Sequence, residues 1–234
     1  MDTTLDFNML PQPNDATCGP TCLHAVYHYY HDLILIDQVI SEVTMLEEGG
    51  TVAVYLANHA LQRGYRATIY TYNLQIFDPT WFKKSVNISE RLIAQIQHKD
   101  IPKLHTVSKA YLDFFNLGGK LLYEDLKASL IRTYLYQGKP ILSGLSATYL
   151  HRSSRENAND SKEDDIRGEP AGHFVVLCGY DKATRSVIVA DPLQPNPISS
   201  KQQYITTIDR VIGAILLGII TYDANLLIIE PKRK

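Results

Sequence analysis

The segment Gln12-Pro13-Asn14-Asp15-Ala16-Thr17-Cys18-Gly19-Pro20-Thr21-Cys22 is loop chemistry that runs abruptly into a helix. Pro20 suits the first turn of that helix, where its missing N–H costs nothing. Cys18, at or just before the helix N-terminus, sets its sulfur against the positive end of the helix dipole, which favours the carbonyl-attacking thiolate over the thiol. A free cysteine taken alone is as readily a small buried hydrophobe. As a nucleophile it needs a base, and the base needs an orienting group. Two strand-like segments supply candidates. In Gly172-His173-Phe174-Val175-Val176-Leu177-Cys178-Gly179-Tyr180, His173 opens a strand directly after a residue without a side chain; in Val187-Ile188-Val189-Ala190-Asp191-Pro192, a carboxylate ends the neighbouring strand. A hairpin through Asp181 to Arg185 would set Asp191 beside His173. Singly, such a histidine is commonly structural and such an aspartate a turn residue; it is their combination with Cys18 that suggests chemistry.

Apolar periodicity predicts the elements that must position these groups. Helices are expected over 19–31, 36–46 and 50–63, the last stopped by Gly64. A strand follows over 66–72, then helical segments near 88–98, 108–115 and 123–136. After the Gly138-Lys139-Pro140 break the pattern changes to short apolar runs at 141–145, 173–180, 186–190 and 226–229, which read as strands, with one more helix around 207–217. Helices dominate the first half and a mostly antiparallel sheet the second, so the expected class is α+β. On the first helix, at about 100° per residue, Cys18, Cys22, Val26, Tyr29 and Leu33 share an inward direction and His24, His28 and His31 the outward one. His24 and His28 have metal-ligand spacing but no glutamate between them as in a metalloprotease, so the stripe reads as a solvated face. Cys22 and Cys178 are expected in the core.

Composition narrows the function. The 234 residues are 45% hydrophobic and 21% charged, which fits a single globular domain, 1–234. With 23 Lys and Arg against 25 Asp and Glu there is no basic footprint for nucleic acid. Gly49-Gly50 and Gly118-Gly119 lack the further residues of a phosphate loop, so no nucleotide, and no other cofactor or metal, is expected. The apolar run Val211 to Ile220 is too short to span a bilayer. The first fifteen residues contain no Lys or Arg, hence no secretory signal is expected. Three cysteines make a poor disulfide scaffold, so the expected setting is the reducing cytoplasm. Ten of the nineteen residues from His151 to Glu169 are charged, which predicts a solvated loop beside His173.

The Gln-x5-Cys-Gly-Pro opening, the Gly-His-Phe-Val-Val-Leu strand and the Ala-Asp-Pro strand end, in that order, resemble the papain-like cysteine peptidases of the bacteriocin leader-processing (double-glycine) type and their stand-alone relatives. The resemblance implies a papain-like fold with Gln12 as an oxyanion-hole donor, Cys18 as nucleophile, His173 as general base and Asp191 as the residue that orients it. Its motifs cover about residues 10–33 and 172–192. Many relatives carry Asp immediately before the nucleophile, where this chain has Thr17 and places its acid at Asp15. The separation of 155 residues between Cys18 and His173 exceeds that in the leader peptidases. The extra material, mostly 73–137, reads as a mainly helical, substrate-selecting insertion.

The expected activity is hydrolysis of a peptide or isopeptide bond in a peptide or protein substrate through a thioester. Two alternatives stay open: acyl transfer by the same Cys-His-Asp triad, as in transpeptidases, and a non-catalytic peptide-binding module.

Overall fold

The computed structural model describes residues 2–47, 49–157 and 162–232. In chain order its elements are β1 (Thr3–Thr4), α1 (Cys18–Tyr29), α2 (Ile36–Glu42), α3 (Ala53–Gln62), β2 (Tyr65–Thr71), α4 (Ile88–His98), α5 (Pro102–Asn116), β3 (Lys120–Leu122), α6 (Ala128–Tyr136), β4 (Ile141–Ser146), α7 (Ala147–His151), β5 (Gly172–Asp181), β6 (Ser186–Ala190), β7 (Gln203–Thr207), α8 (Ile208–Leu217) and β8 (Asn225–Pro231). The fold is α+β, with one large sheet ordered β3-β2-β8-β4-β5-β6-β7 and β1 paired to β5. Every neighbouring pair is antiparallel except β2 with β3.

The apolar runs of the second half are continuous because the sheet is covered on both faces. Leu142, Phe174, Val176, Leu227 and Ile229 pack toward α1, α3 and α5 on one side. Their neighbours Ile141, Val175, Leu177, Leu226 and Ile228 pack toward α6 and α8 on the other. This is the strict alternation of side chains along a strand. The run Val211 to Ile220 is α8 and a short 3-10 turn, laid on this second face; no described helix is long and apolar enough to cross a membrane.

Several boundaries differ from the sequence reading. The sheet also takes β2 and β3 from the first half of the chain, so helix and strand are less segregated than expected. The helix expected over 123–136 begins only at Ala128, and the one expected over 108–115 extends back to Pro102, whose ring occupies the first turn without loss. Gly64 does stop α3, with φ of +87°. The chain folds back at His31, φ +61°, and the returning segment lays the Ile34 carbonyl against His28. His24 is therefore buried, contrary to the expected solvated stripe, while His28 and His31 stay exposed. Leu33, expected inward, lies beyond the helix end and is 79% exposed.

Candidate active site

Cys18 is the first residue of α1, so its N–H is among the four that a helix start leaves without an internal partner. The loop before it is self-braced. Asn14 Oδ1 accepts from Ala16 N–H at 3.0 Å, the Thr17 hydroxyl donates to the Asn14 carbonyl at 3.0 Å, and the Thr21 hydroxyl donates to the Thr17 carbonyl at 2.8 Å. Gln12 N–H donates to the Pro192 carbonyl at 2.8 Å, which ties this loop to the strand end that carries Asp191. Gly19 allows α1 to approach so closely: a Cβ there would stand 2.5 Å from the Thr51 methyl and 3.2 Å from the Phe174 ring.

His173 is the second residue of β5, paired with Leu145 of β4. Asp191 follows the last residue of β6, with Ala190 opposite Val176. Between Leu177 and Gly179 the pairing slips by one residue. Had the register of Gly179 with Ile188 continued, Asp191 would fall opposite Val176, on the face away from His173. The slip at Cys178 moves it opposite Val175 and onto the face of His173, since side chains alternate with period two. The result is a contact: His173 Nε2 donates to Asp191 Oδ1 at 2.8 Å. Nδ1 is thereby left on the side of the sulfur, and Cys18 lines the same small opening as His173 and adds to its basicity.

Both members of the charged pair are buried, His173 at 6% and Asp191 at 0% exposure. Burial by itself would lower the basicity of His173; the Asp191 charge, the hydrogen bond to it and the contact with Cys18 outweigh this and raise the imidazole to about 10. Burial likewise opposes ionisation of Asp191, but His173, with hydrogen bonds from His151 and His173, holds the carboxyl well below the usual range. Asp191 is acceptor to four groups: His173 Nε2 and Leu193 N–H on Oδ1, and His151 Nε2 and the Tyr204 hydroxyl on Oδ2, at 2.8 to 2.9 Å.

His173 stands between two openings. One, about 430 Å³, is lined by Gln12, His151, Ser153, Glu156 and Glu163 with His173; the charged segment therefore does border the site, although its residues 158–161 lie outside the described chain. The other, about 150 Å³, holds Cys18, Thr51, Lys103, Thr221 and Asp223 with His173. Lys103 comes from α5, within the segment expected to be an insertion. Burial pushes the Asp223 carboxyl up to about 8 against the opposing influence of Lys103, His173 and Thr221. Asp223 Oδ1 has no hydrogen-bond partner.

Of the residues expected from sequence, Cys18 and Asp191 are both brought to His173, Asp191 by a hydrogen bond and Cys18 in the same small opening. Gln12 borders the larger opening beside His173, and its Nε2 donates one hydrogen to the Asn14 carbonyl at 3.0 Å. Cys22 is buried with its Sγ on the Phe174 carbonyl at 3.2 Å, and burial raises its thiol well above the ordinary value; burial pushes Cys178 up to about 12. Sequence reasoning missed His151, Tyr204 and Asp223. Tyr204 lies in Gln-Tyr-Ile-Thr-Thr, whose run of aromatic and β-branched residues does signal a strand. Nothing local marks His151 or Asp223, whose roles arise from contacts distant in sequence.

The model of the family described as "Peptidase_C39 like family" matches residues 4–209. No curated protein matches the sequence. Among solved structures, a protein from Bacillus anthracis described as C39-like is 14% identical with a TM-score of 0.51, covering 99% of this chain and 98% of that one. The peptidase domain of Streptococcus ComA, a bifunctional ABC transporter of a quorum-sensing pathway, is 13% identical with a TM-score of 0.48, covering 97% and 99%. A double-glycine motif protease from an AMS/PCAT transporter, solved with a leader peptide, is 14% identical with a TM-score of 0.46, covering 98% and 95%.

Proposed function

Because the chain belongs to the Peptidase_C39-like family, whose name implies a peptidase-like activity, we propose that it is a cysteine peptidase that hydrolyses a peptide or isopeptide bond through a thioester on Cys18. The observation that carries this reading is that His173, which lines one small opening with Cys18, has its Nε2 on the buried Asp191 carboxylate at 2.8 Å.

In the mechanism, His173 takes the Cys18 thiol proton at Nδ1 and the sulfur attacks the carbonyl carbon. The oxyanion that forms accepts from the Cys18 backbone N–H and from the second Nε2 hydrogen of Gln12. His173 then donates its proton to the nitrogen as the C–N bond breaks, and the amine leaves. Water enters the site; His173 takes one of its protons while the oxygen attacks the thioester. The acid departs and the sulfur recovers its charge beside the imidazolium. Asp191 keeps Nε2 of His173 protonated throughout and supports its positive charge.

The substrate is read as a peptide chain entering across the two openings that flank His173. Residues 1–234 are read as one domain in which 73–137 is a substrate-selecting insertion, because its Lys103 lines the opening that holds Cys18. The three unpaired cysteines favour a reducing, cytoplasmic setting.

The test is intact-mass analysis after brief iodoacetamide treatment between pH 5 and 8, followed by a peptide-library cleavage screen. One rapid adduct at Cys18, slowed in His173→Ala, together with cleavage abolished in Cys18→Ala, is the expected result. Absence of preferential labelling at Cys18 would overturn the reading.

A further inference from the structure

His151 lies 40 residues from Asp191 in sequence, yet its Nε2 donates to Asp191 Oδ2 over 2.9 Å. Asp191 is therefore shared between two imidazoles, whose rings meet edge to face with centroids 5.8 Å apart. An ionised carboxylate offers roughly four lone-pair sites, and the four donors to Asp191 fill them in pairs. Oδ1 receives His173 and the Leu193 N–H; Oδ2 receives His151 and Tyr204. The terminal torsion of an aspartate is soft. With the hydroxyl of Tyr204 alone on Oδ2, the carboxylate can turn and the rotating O–H can follow it. A rigid ring cannot follow, so the second imidazole holds the Oδ2 end of the carboxylate as the His173 ring and the Leu193 N–H hold the Oδ1 end.

The position of that ring is itself determined from several sides. α7 starts where β4 ends, Ser146 accepts from the Tyr149 N–H at its start, and Ala147 N–H donates to the Ala171 carbonyl at 2.9 Å, two residues before His173. At its other end the Arg210 guanidinium of α8 donates to the Leu150 carbonyl at 2.9 Å and to the Tyr149 carbonyl. The charged and titratable groups around His151 are Asp191, His173 and Tyr204, Glu156 of the charged segment, and Arg210 behind the helix end.

We propose that His151 is a positioning residue, which by holding Oδ2 of Asp191 keeps Oδ1 aimed at His173. The proposal rests on the cysteine-hydrolase reading of Cys18 and His173.

The experiment measures the rate of Cys18 alkylation by iodoacetamide on the full chain, by intact mass between pH 5 and 9, for wild type, His151→Phe, His151→Gln and His173→Ala. The Phe variant keeps a ring and loses the N–H donor. Its rate at pH 6 is expected to fall about tenfold, the lower end of what loss of an orienting partner costs, and its profile to move toward that of His173→Ala. The Gln variant keeps an N–H donor and should recover most of the loss. A Phe profile that superposes on wild type overturns the proposal, as does a Gln variant as slow as Phe. If His173→Ala itself leaves the rate unchanged, the hydrolase reading falls first; if His173→Ala slows it and His151→Phe does not, only the positioning role falls. Should the Phe variant not fold, nitrogen-15 histidine spectra of wild type and Asp191→Asn decide. Both His151 and His173 must be protonated at Nε2 in wild type and both signals must move in the variant; a His151 ring protonated at Nδ1 alone overturns the proposal.

Discussion

Replacing Gln12 by Ala removes one of the two donors assigned to the oxyanion, so kcat on a cleaved peptide is expected to fall about 10²–10³-fold while the rate of Cys18 alkylation changes little, because alkylation builds no oxyanion. The pair of measurements separates an oxyanion role from a packing role for the loop. His173→Ala should cost about 10²–10⁴ in kcat/KM and should slow alkylation as well. The His173–Asp191 pair also sets a pH dependence of stability. The imidazole is raised to about 10 from 6.5, so its contribution is complete below about 6.5 and is lost as pH rises through about 10. Asp191 is depressed, so its contribution is present above about 4, the ordinary aspartate value, and is lost as pH falls below that. The loss of stability in Asp191→Asn is therefore expected to be larger at pH 5.5 than at pH 10.5, as thermal melts at the two values would show; an equal loss at both would contradict the charged pair.

Between residues and the whole molecule, the start of α1 depends on how closely helix and sheet can approach. Gly19→Ala would place a methyl 2.5 Å from the Thr51 side chain. Overpacking of this kind costs about 1–3 kcal/mol. The variant should melt lower and present Cys18 less well to His173, and adding Thr51→Ser, which removes the offending methyl, should restore much of both. Measuring melting temperature and alkylation rate in the single and double variants checks this. The one-residue slip at Cys178 acts at the same scale: it turns the strand end so that Asp191 shares a face with His173. No property of Cys178 as a residue type announces that slip, and its thiol lies in the core, as expected from sequence.

For the molecule as a whole, two buried carboxylates near one cysteine are driven in opposite directions. Asp191 has four donors and stays ionised, whereas Asp223 has an unpartnered Oδ1 and is pushed up to about 8, chiefly by burial. A folded carboxyl raised in this way binds its proton more tightly than the unfolded chain does, so it lowers stability progressively as pH rises from about 4 toward 8. Relative to wild type, Asp223→Asn should therefore gain melting temperature as pH is raised from 5 to 9; a difference that does not change with pH would show that Asp223 is charged throughout.

By itself the sequence determined which residue types could react and, through strand and helix periodicity, most of the elements that carry them. Cys18 at a helix start, His173 at a strand start and Asp191 at a strand end were all legible because each depends on its immediate neighbours. The α+β class was legible for the same reason, since buried runs and amphipathic helices are local patterns. Only the tertiary structure decided that β2 and β3 join the sheet, that His24 is covered by the chain returning from His31, and that His151, Tyr204 and Asp223 converge on the site. These outcomes are set by pairing register and by contacts between segments tens of residues apart. Such contacts form only when burial of the whole sheet repays the entropy of bringing the segments together, so no local pattern encodes them.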